Sequence, residues 1–465
     1  MRIHCIRRWC VVDTSKTDLA SLPLPPKNPL SYFQLARAVR SFHTGIDRLR
    51  DAGGPVTRFS LGPSWLMPPI VVATSPEAIR DILSNKDGAV DKTTRVLGEF
   101  RQIIGANLFD LPHEHWLPRR RTLQPVFTSQ RVRQFGGHMV EAAESVASSW
   151  QHGATVNLDA ECRTLTLRAL GRSVLGLDVT DRVDEVTEPL RVALTYVTKR
   201  AVRPVRAPAW LPTPARWRAR AASAKLHRLA NDILQQCRTD PAKDAPLVRA
   251  LIAATDPVTH KQLSDKEIAD ELVVFLFAGH DTTATTLTYA MWQLGRHPEI
   301  QLRVAEEVTR FADRTLTSDD VPRLPYTVQV LREALRLCPP GPTGTRMVTR
   351  DIEIGGYRVE AGTILVFGRL AVQRDPALWP EPLKFNPDRF APENAVGRDR
   401  WQYIPFGAGP RSCIGDHFAM LEATLGLATF IRHAEICSLD DEFPLAAPFT
   451  MVADGPIWAR IRRRI

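Results

Sequence analysis

Cys413 stands in the run Phe406-Gly407-Ala408-Gly409-Pro410-Arg411-Ser412-Cys413-Ile414-Gly415, which presents one sulfur beside one guanidinium and leads into an apolar, helix-like stretch. A thiolate must be kept deprotonated, which a metal does outright, and backbone N–H groups aimed at the sulfur tune its charge. Glycines permit that approach. Gly407 and Gly409 are expected at positive φ in a tight turn, and Gly415 leaves room for the next segment to pack against the face of a bound group. Phe406 can shield the sulfur from water, and Arg411 can donate to an anion through its planar fork. An isolated cysteine is more often buried and inert; here the flanking residues favour a metal ligand.

A second polar group interrupts an apolar run. Leu272 to Phe277 leads into Ala278-Gly279-His280-Asp281-Thr282-Thr283, and placing an acid and two hydroxyls inside a buried helix is unfavourable unless they have partners or a purpose. The helix that carries them is bounded by sequence signals. Ser264-Asp265-Lys266-Glu267 reads as a capping box, and helical character runs to Gly295 and Pro298. Three further constellations follow. Glu333 and Arg336 share a face of a helix expected from Pro325 to Pro339 and can pair. Trp116-Leu117-Pro118-Arg119-Arg120 offers an aromatic and cations, and Arg346 precedes a strand signal at Asp351.

These segments resemble those of the cytochrome P450 family, the haem-thiolate monooxygenases. Five motifs come in the expected order between Pro23 and the C-terminus. The resemblance implies a mainly α fold with a small β region, a single large haem domain over 23–465 after a tail of 1–22. It implies haem b as cofactor, with Cys413 as the iron ligand and Phe406, Arg411 and Gly415 around it. Trp116, Arg120 and Arg346 are then cofactor-binding, with the arginines at the propionates. Gly279 leaves space over the iron, and Asp281 with Thr282 delivers protons to dioxygen. Glu333, Arg336 and Arg389, from Phe385-Asn386-Pro387-Asp388-Arg389-Phe390, form a buried structural triad. Gln373 departs from the histidine common at that position, which alters a local hydrogen bond.

The resemblance also implies O₂ as co-substrate and electrons ultimately from NAD(P)H. They would arrive through a separate ferredoxin or flavodoxin and its reductase, since the chain ends about fifty residues after Cys413 without a fused flavin domain. The net charge of +10 suits an acidic redox protein docking near Arg119, Arg120 and Arg121; the dispersed arginines also fit a plain solvated surface, and no nucleic-acid motif accompanies them. Seven cysteines without framework spacing argue against a disulfide scaffold and for a reducing compartment. Met1 to Val12 is broken by His4, Arg7 and Arg8, so no transmembrane anchor is expected; a mitochondrial presequence is the lesser alternative to a soluble, cytoplasmic, monomeric protein.

Strand signals fall at Val56 to Val72 and Asp351 to Phe367, and a loop between helices at Arg203 to Pro214. Pocket walls are expected from Gly98 to Asp110, Phe275, Ala278, Gly279, Pro342 to Thr345 and Phe449 to Met451. They suit a lipid, steroid, terpenoid or fatty acid. Two other functions stay open: a peroxygenase that uses hydrogen peroxide, and a haem sensor without catalysis.

Overall fold

In a computed structural model the described residues are 19–65, 67–176, 183–201, 207–208, 210–311, 313–447 and 449–464. The reading of Met1 to Val12 lies outside them, as does much of the Arg203 to Pro214 loop. What is described of that loop joins the helices Val183–Ala201 and Pro214–Thr239.

Helices dominate, and the longest crosses the molecule. Asp265–Arg296 spans 32 residues, about 48 Å at 1.5 Å per residue. It starts where the capping box predicts: Ser264 Oγ accepts from the Glu267 N–H at 3.3 Å, and Glu267 Oε2 accepts from the Ser264 N–H at 2.9 Å. From Ile268 to Leu294 it is buried on nearly every side, so it is a core element and not an amphipathic surface helix. The helix Asp416–His433, which begins directly after the cysteine loop, packs on this long helix, as does Leu158–Leu170.

The main sheet has five strands in the order Val56–Phe59, Ile70–Ala73, Ile364–Gly368, Thr343–Val348, Val90–Asp91. One pairing is parallel, with Ile70 opposite Ile364, and the rest are antiparallel. Side chains alternate across it. Val71, Ala73, Leu365 and Phe367 pack toward the helix Pro76–Leu83, whereas Ile70, Val72 and Val366 pack toward the two N-terminal helices Tyr32–Arg40 and Phe42–Gly53. A separate three-stranded sheet joins Thr155–Asn157, Trp458–Arg463 and Ala434–Ser438. The sheet matters here because Arg346 and Arg369 stand on it or at its end.

The Glu333–Arg336 pair is internal, not a surface pair. Both side chains are fully buried, joined by two hydrogen bonds of 2.7 and 2.8 Å, and Arg389 Nε lies 3.4 Å from Glu333. Arg336 also donates to the carbonyls of Gln373 and Pro382 at 2.8 Å. Gln373 fills its position well. Its amide donates to Leu335 and Arg336 carbonyls, and its Oε1 accepts from the Ile404 N–H at 3.0 Å, which ties the helix Pro325–Leu337 to the segment entering the cysteine loop.

Candidate active site

The cysteine loop is a sequence of backbone turns. Gly407 and Gly409 adopt φ of 71° and 70°. At Gly409 a Cβ would fall 1.9 Å from the Leu83 carbonyl oxygen, so the loop passes too close to the helix Pro76–Leu83 for any side chain. The Cys413 N–H donates to the Phe406 carbonyl at 2.8 Å, closing the loop on itself. The surface that Cys413 exposes is cavity wall deep inside the protein, which is why burial still pushes its thiol pKa up.

That cavity measures about 1050 Å³. Phe406, Arg411, Cys413 and Gly415 form its floor, Trp116, Arg120 and Arg346 its side, and Gly279 and Thr282 border it from the long helix. Arg411 donates to Asp91 at 2.7 Å and to the Leu111 carbonyl at 2.8 Å, with its guanidinium 4.5 Å from the Trp116 ring centre. Arg120 donates to the Ser412 carbonyl at 3.0 Å, next to the sulfur.

Two cations escaped the sequence motifs. Lys92 and Arg369 also line the cavity. Lys92 donates to the Phe109 carbonyl and lies 4.3 Å from the centre of that ring. Arg369, directly after the strand Ile364–Gly368, donates to the carbonyls of Gly341 and Thr343. The one signal in sequence is a cation closing an apolar strand. Burial lowers all of these groups, pressing Arg346 down to about 9 and Arg369 and Arg411 to about 10, and Lys92 falls well below its ordinary value.

No Asp or Glu lines the cavity, and among the described residues Lys92, Arg120, Arg346 and Arg369 make no ion pair. Buried positive charge without partners is unfavourable and calls for an anion. Gly415 adds a shape test: a Cβ there would meet nothing within 4 Å, so the floor is flat and open. A planar dianion whose metal takes a thiolate fits these residues. Haem meets all three requirements.

Opposite the floor, the acid and the alcohol separate. Thr282 faces the cavity and its hydroxyl donates back to the Ala278 carbonyl at 2.7 Å. Asp281 does not line the cavity; Arg163 holds it at 2.5 Å and also binds Asp159 at 2.6 Å. His280 is buried, 3.0 Å from the Thr166 hydroxyl, and burial presses it down to about 4, so it is neutral at physiological pH.

The family model for cytochrome P450 matches residues 23–451. The chain belongs to the cytochrome P450 family. A cyclooctat-9-en-7-ol 5-monooxygenase of Streptomyces melanosporofaciens is 32% identical over 385 residues, covering 81% of this chain and 82% of that protein. A pentalenene oxygenase of Streptomyces avermitilis is 32% identical over 384 residues, with 82% and 84% covered. The crystal structure of the cytochrome P450DA haem domain superposes with a TM-score of 0.81 at 25% identity, covering 96% of this chain and 98% of that one. As a cytochrome P450 monooxygenase the protein uses haem, O₂, a redox partner and a hydrophobic substrate. No helix among the described residues is long and apolar enough to cross a membrane.

Within this P450, the structure adds to two of the sequence expectations. Gly279 borders the cavity, but a Cβ there would lie 2.9 Å from Leu170 Cδ2, so the missing side chain admits the neighbouring helix Leu158–Leu170. Arg119, Arg120 and Arg121 are not one cationic face: Arg119 is buried against Glu267 and Glu271, and Arg121 pairs with Asp256. Arg120 alone turns to the cysteine loop.

Proposed function

We propose that this P450 hydroxylates or otherwise oxidises a C–H bond of a terpenoid-like hydrocarbon. One observation carries the reading: the Cys413 sulfur lies on the floor of a cavity whose far wall is apolar and whose lining holds no carboxylate. Phe109, Phe277 and Phe449 form that wall, with the Phe449 ring centre 5.9 Å from that of Phe109 and 5.4 Å from that of Phe277, and Leu97, Val274 and Ala278 continue it. Such walls recognise bulk and shape and offer few polar handles. The terpenoid relatives named above favour this class over a steroid, a fatty acid or another lipid.

Haem b with a thiolate ligand supplies an electron-rich centre at which O₂ is reduced and split. The chain's residues do the rest. Lys92, Arg346 and Arg411 answer the two carboxylates of that group, with Trp116 against Arg411. Phe406 keeps water from the sulfur. Thr282 presents a hydroxyl into the cavity through which a proton can pass, and Asp281 receives protons on the outer side, released by Arg163 as it moves. This acid and alcohol argue against a peroxygenase and against a passive sensor, neither of which needs a proton supply.

Electrons come from NAD(P)H through a reductase and an acidic ferredoxin or flavodoxin. A second cavity of about 650 Å³ is the better docking place than the Arg119 to Arg121 run. It reaches the opposite side of Phe406 and carries exposed Arg133, Arg332, Arg400 and His417 at its edge.

The reduced CO complex tests the centre of the reading. The wild type should give the far-shifted Soret band of thiolate ligation, and Cys413→Ser should lose it. A wild-type band at the position of a histidine-ligated haem sinks the proposal. Terpenoid hydrocarbons should displace water and shift the ferric spin state at lower concentrations than fatty acids do.

A further inference from the structure

Seven Lys and Arg residues line the cavity, and two of them, Arg120 and Arg369, stand apart by their relation to Cys413. Lys92, Arg346 and Arg411 act on one another, and Arg369 also weighs on Lys92 and Arg346. With Asp91 against Arg411, the first three cluster on the side where two carboxylates are needed. Arg120 and Arg369 have a further neighbour in Cys413. For each, burial is opposed chiefly by the negative charge of Cys413.

The position of Arg369 is built, not incidental. Its Nε donates to the Gly341 carbonyl and its Nη2 to the Thr343 carbonyl at 2.6 Å, which spends one edge of the fork on the cavity wall. Nη1 is turned to the cysteine loop, 3.9 Å from where a Cβ on Gly407 would stand. The guanidinium carbon lies 5.4 Å from the Phe367 ring centre, so an apolar ring screens it from behind. Among the described residues it has no carboxylate partner. A guanidinium fixed only by main-chain carbonyls projects its full charge, and in a medium of low dielectric that charge reaches further than it would in water.

We propose that Arg369 is a positioning residue that holds the Cys413 sulfur in a positive field and thereby raises the reduction potential of the thiolate-ligated haem. The proposal rests on the reading of Cys413 as axial ligand. The step concerned is the entry of one electron from the donor protein, which takes iron from ferric to ferrous with no bond made or broken and no proton moved. A nearby positive charge favours whichever state carries the extra electron. A thiolate ligand alone makes the iron harder to reduce, and Arg369 offsets part of that.

The test is a mediated redox titration of the haem-loaded protein, full chain, with dithionite as reductant. Arg369→Gln keeps a donor for the Gly341 and Thr343 carbonyls and removes the charge. Arg369→Lys keeps the charge and loses the fork. Arg411→Gln serves as the carboxylate-side comparison. In Arg369→Gln the ferric–ferrous equilibrium should shift about tenfold toward ferric, which is about 59 mV for one electron. Haem content and the CO band should stay as in the wild type, Arg369→Lys should shift less than threefold, and Arg411→Gln should lose haem on gel filtration.

An unchanged or raised potential in Arg369→Gln overturns the proposal. So does loss of haem from Arg369→Gln to the extent seen in Arg411→Gln, which would make Arg369 one more carboxylate partner. If Arg369→Gln does not fold, Arg369→Met read against Arg369→Lys decides by the same criteria. A histidine-like CO band in the wild type would instead remove the premise, and that outcome is visible before any variant is made.

Discussion

Asp281 and Thr282 are adjacent in sequence and yet face different surroundings. The hydroxyl borders the cavity, and the carboxylate lies outside it in the grip of Arg163. On the proposed role, proton transfer through this pair requires Asp281 to leave an ion pair that is partly open to solvent and so only modestly stabilising. In Asp281→Asn the residue keeps its size and loses its proton. Product formation should fall about 100-fold, at the lower end of what a positioned acid or base contributes. Electron uptake should continue, with hydrogen peroxide released in place of product, and a peroxide assay beside product quantification measures both. Asp281 itself was legible because an acid inside an apolar run demands a reason. Arg163 was not, for it lies 118 residues away and nothing in its own segment marks it. The same holds for Lys92, whose role comes entirely from the wall it happens to join.

Between elements, the helix that follows the cysteine loop brings an acid into the core. Glu422 is fully buried, and neither carboxyl oxygen has a hydrogen-bond partner. Burial raises its pKa well above the ordinary carboxylate range; the Thr283 hydroxyl acts against that shift but makes no hydrogen bond of ordinary geometry. The folded protein therefore holds this proton while the unfolded chain releases it near pH 4.5. Its contribution to stability is complete below that pH and is lost as pH rises toward the folded-state value, by about 1.4 kcal/mol for each unit. Glu422→Gln removes the titration. The melting temperature of the variant should gain on the wild type steadily from pH 5 to pH 8, and parallel pH profiles would refute the assignment. Element boundaries were legible where caps are strong, as at Ser264 and at Pro325, and the turn glycines were too. At Gly279 the sequence shows that a side chain is missing but not which neighbour uses the space, and only the approach of Leu170 reveals that. The short strands Val90–Asp91 and Thr155–Asn157 left no signal, since two or three residues are too few for a period to show.

For the whole molecule, the cavity is a junction. Its walls come from Val39 through Thr450, so every major part of the chain contributes to one internal surface. Seven of its lining residues are Lys or Arg, and none is acidic. A protein that folds around such a surface depends on the anion that neutralises it. Removing haem should lower the free energy of unfolding by about 4 kcal/mol under conditions where haem stands 1,000-fold above its dissociation constant. Denaturant titration of the loaded and extracted protein measures that difference. The order of the motifs along the chain made the mainly helical fold legible. The surroundings of Arg119, Arg120 and Arg121 were not legible, because three arginines in a row on a helix point in three directions, and two of them found carboxylates.

The parallel pairing of Ile70 with Ile364 has a consequence for how the protein is made. About 300 residues must be synthesised after the first strand before its partner exists, which at roughly 5–20 residues per second takes about 15–60 s. Throughout that interval Ile70, Val71 and Val72 have an open edge, and the sheet that carries Arg346 and Arg369 cannot close. Haem capture is consequently a late event in the life of the nascent chain, and the N-terminal strands are the stretch most in need of a chaperone while they wait.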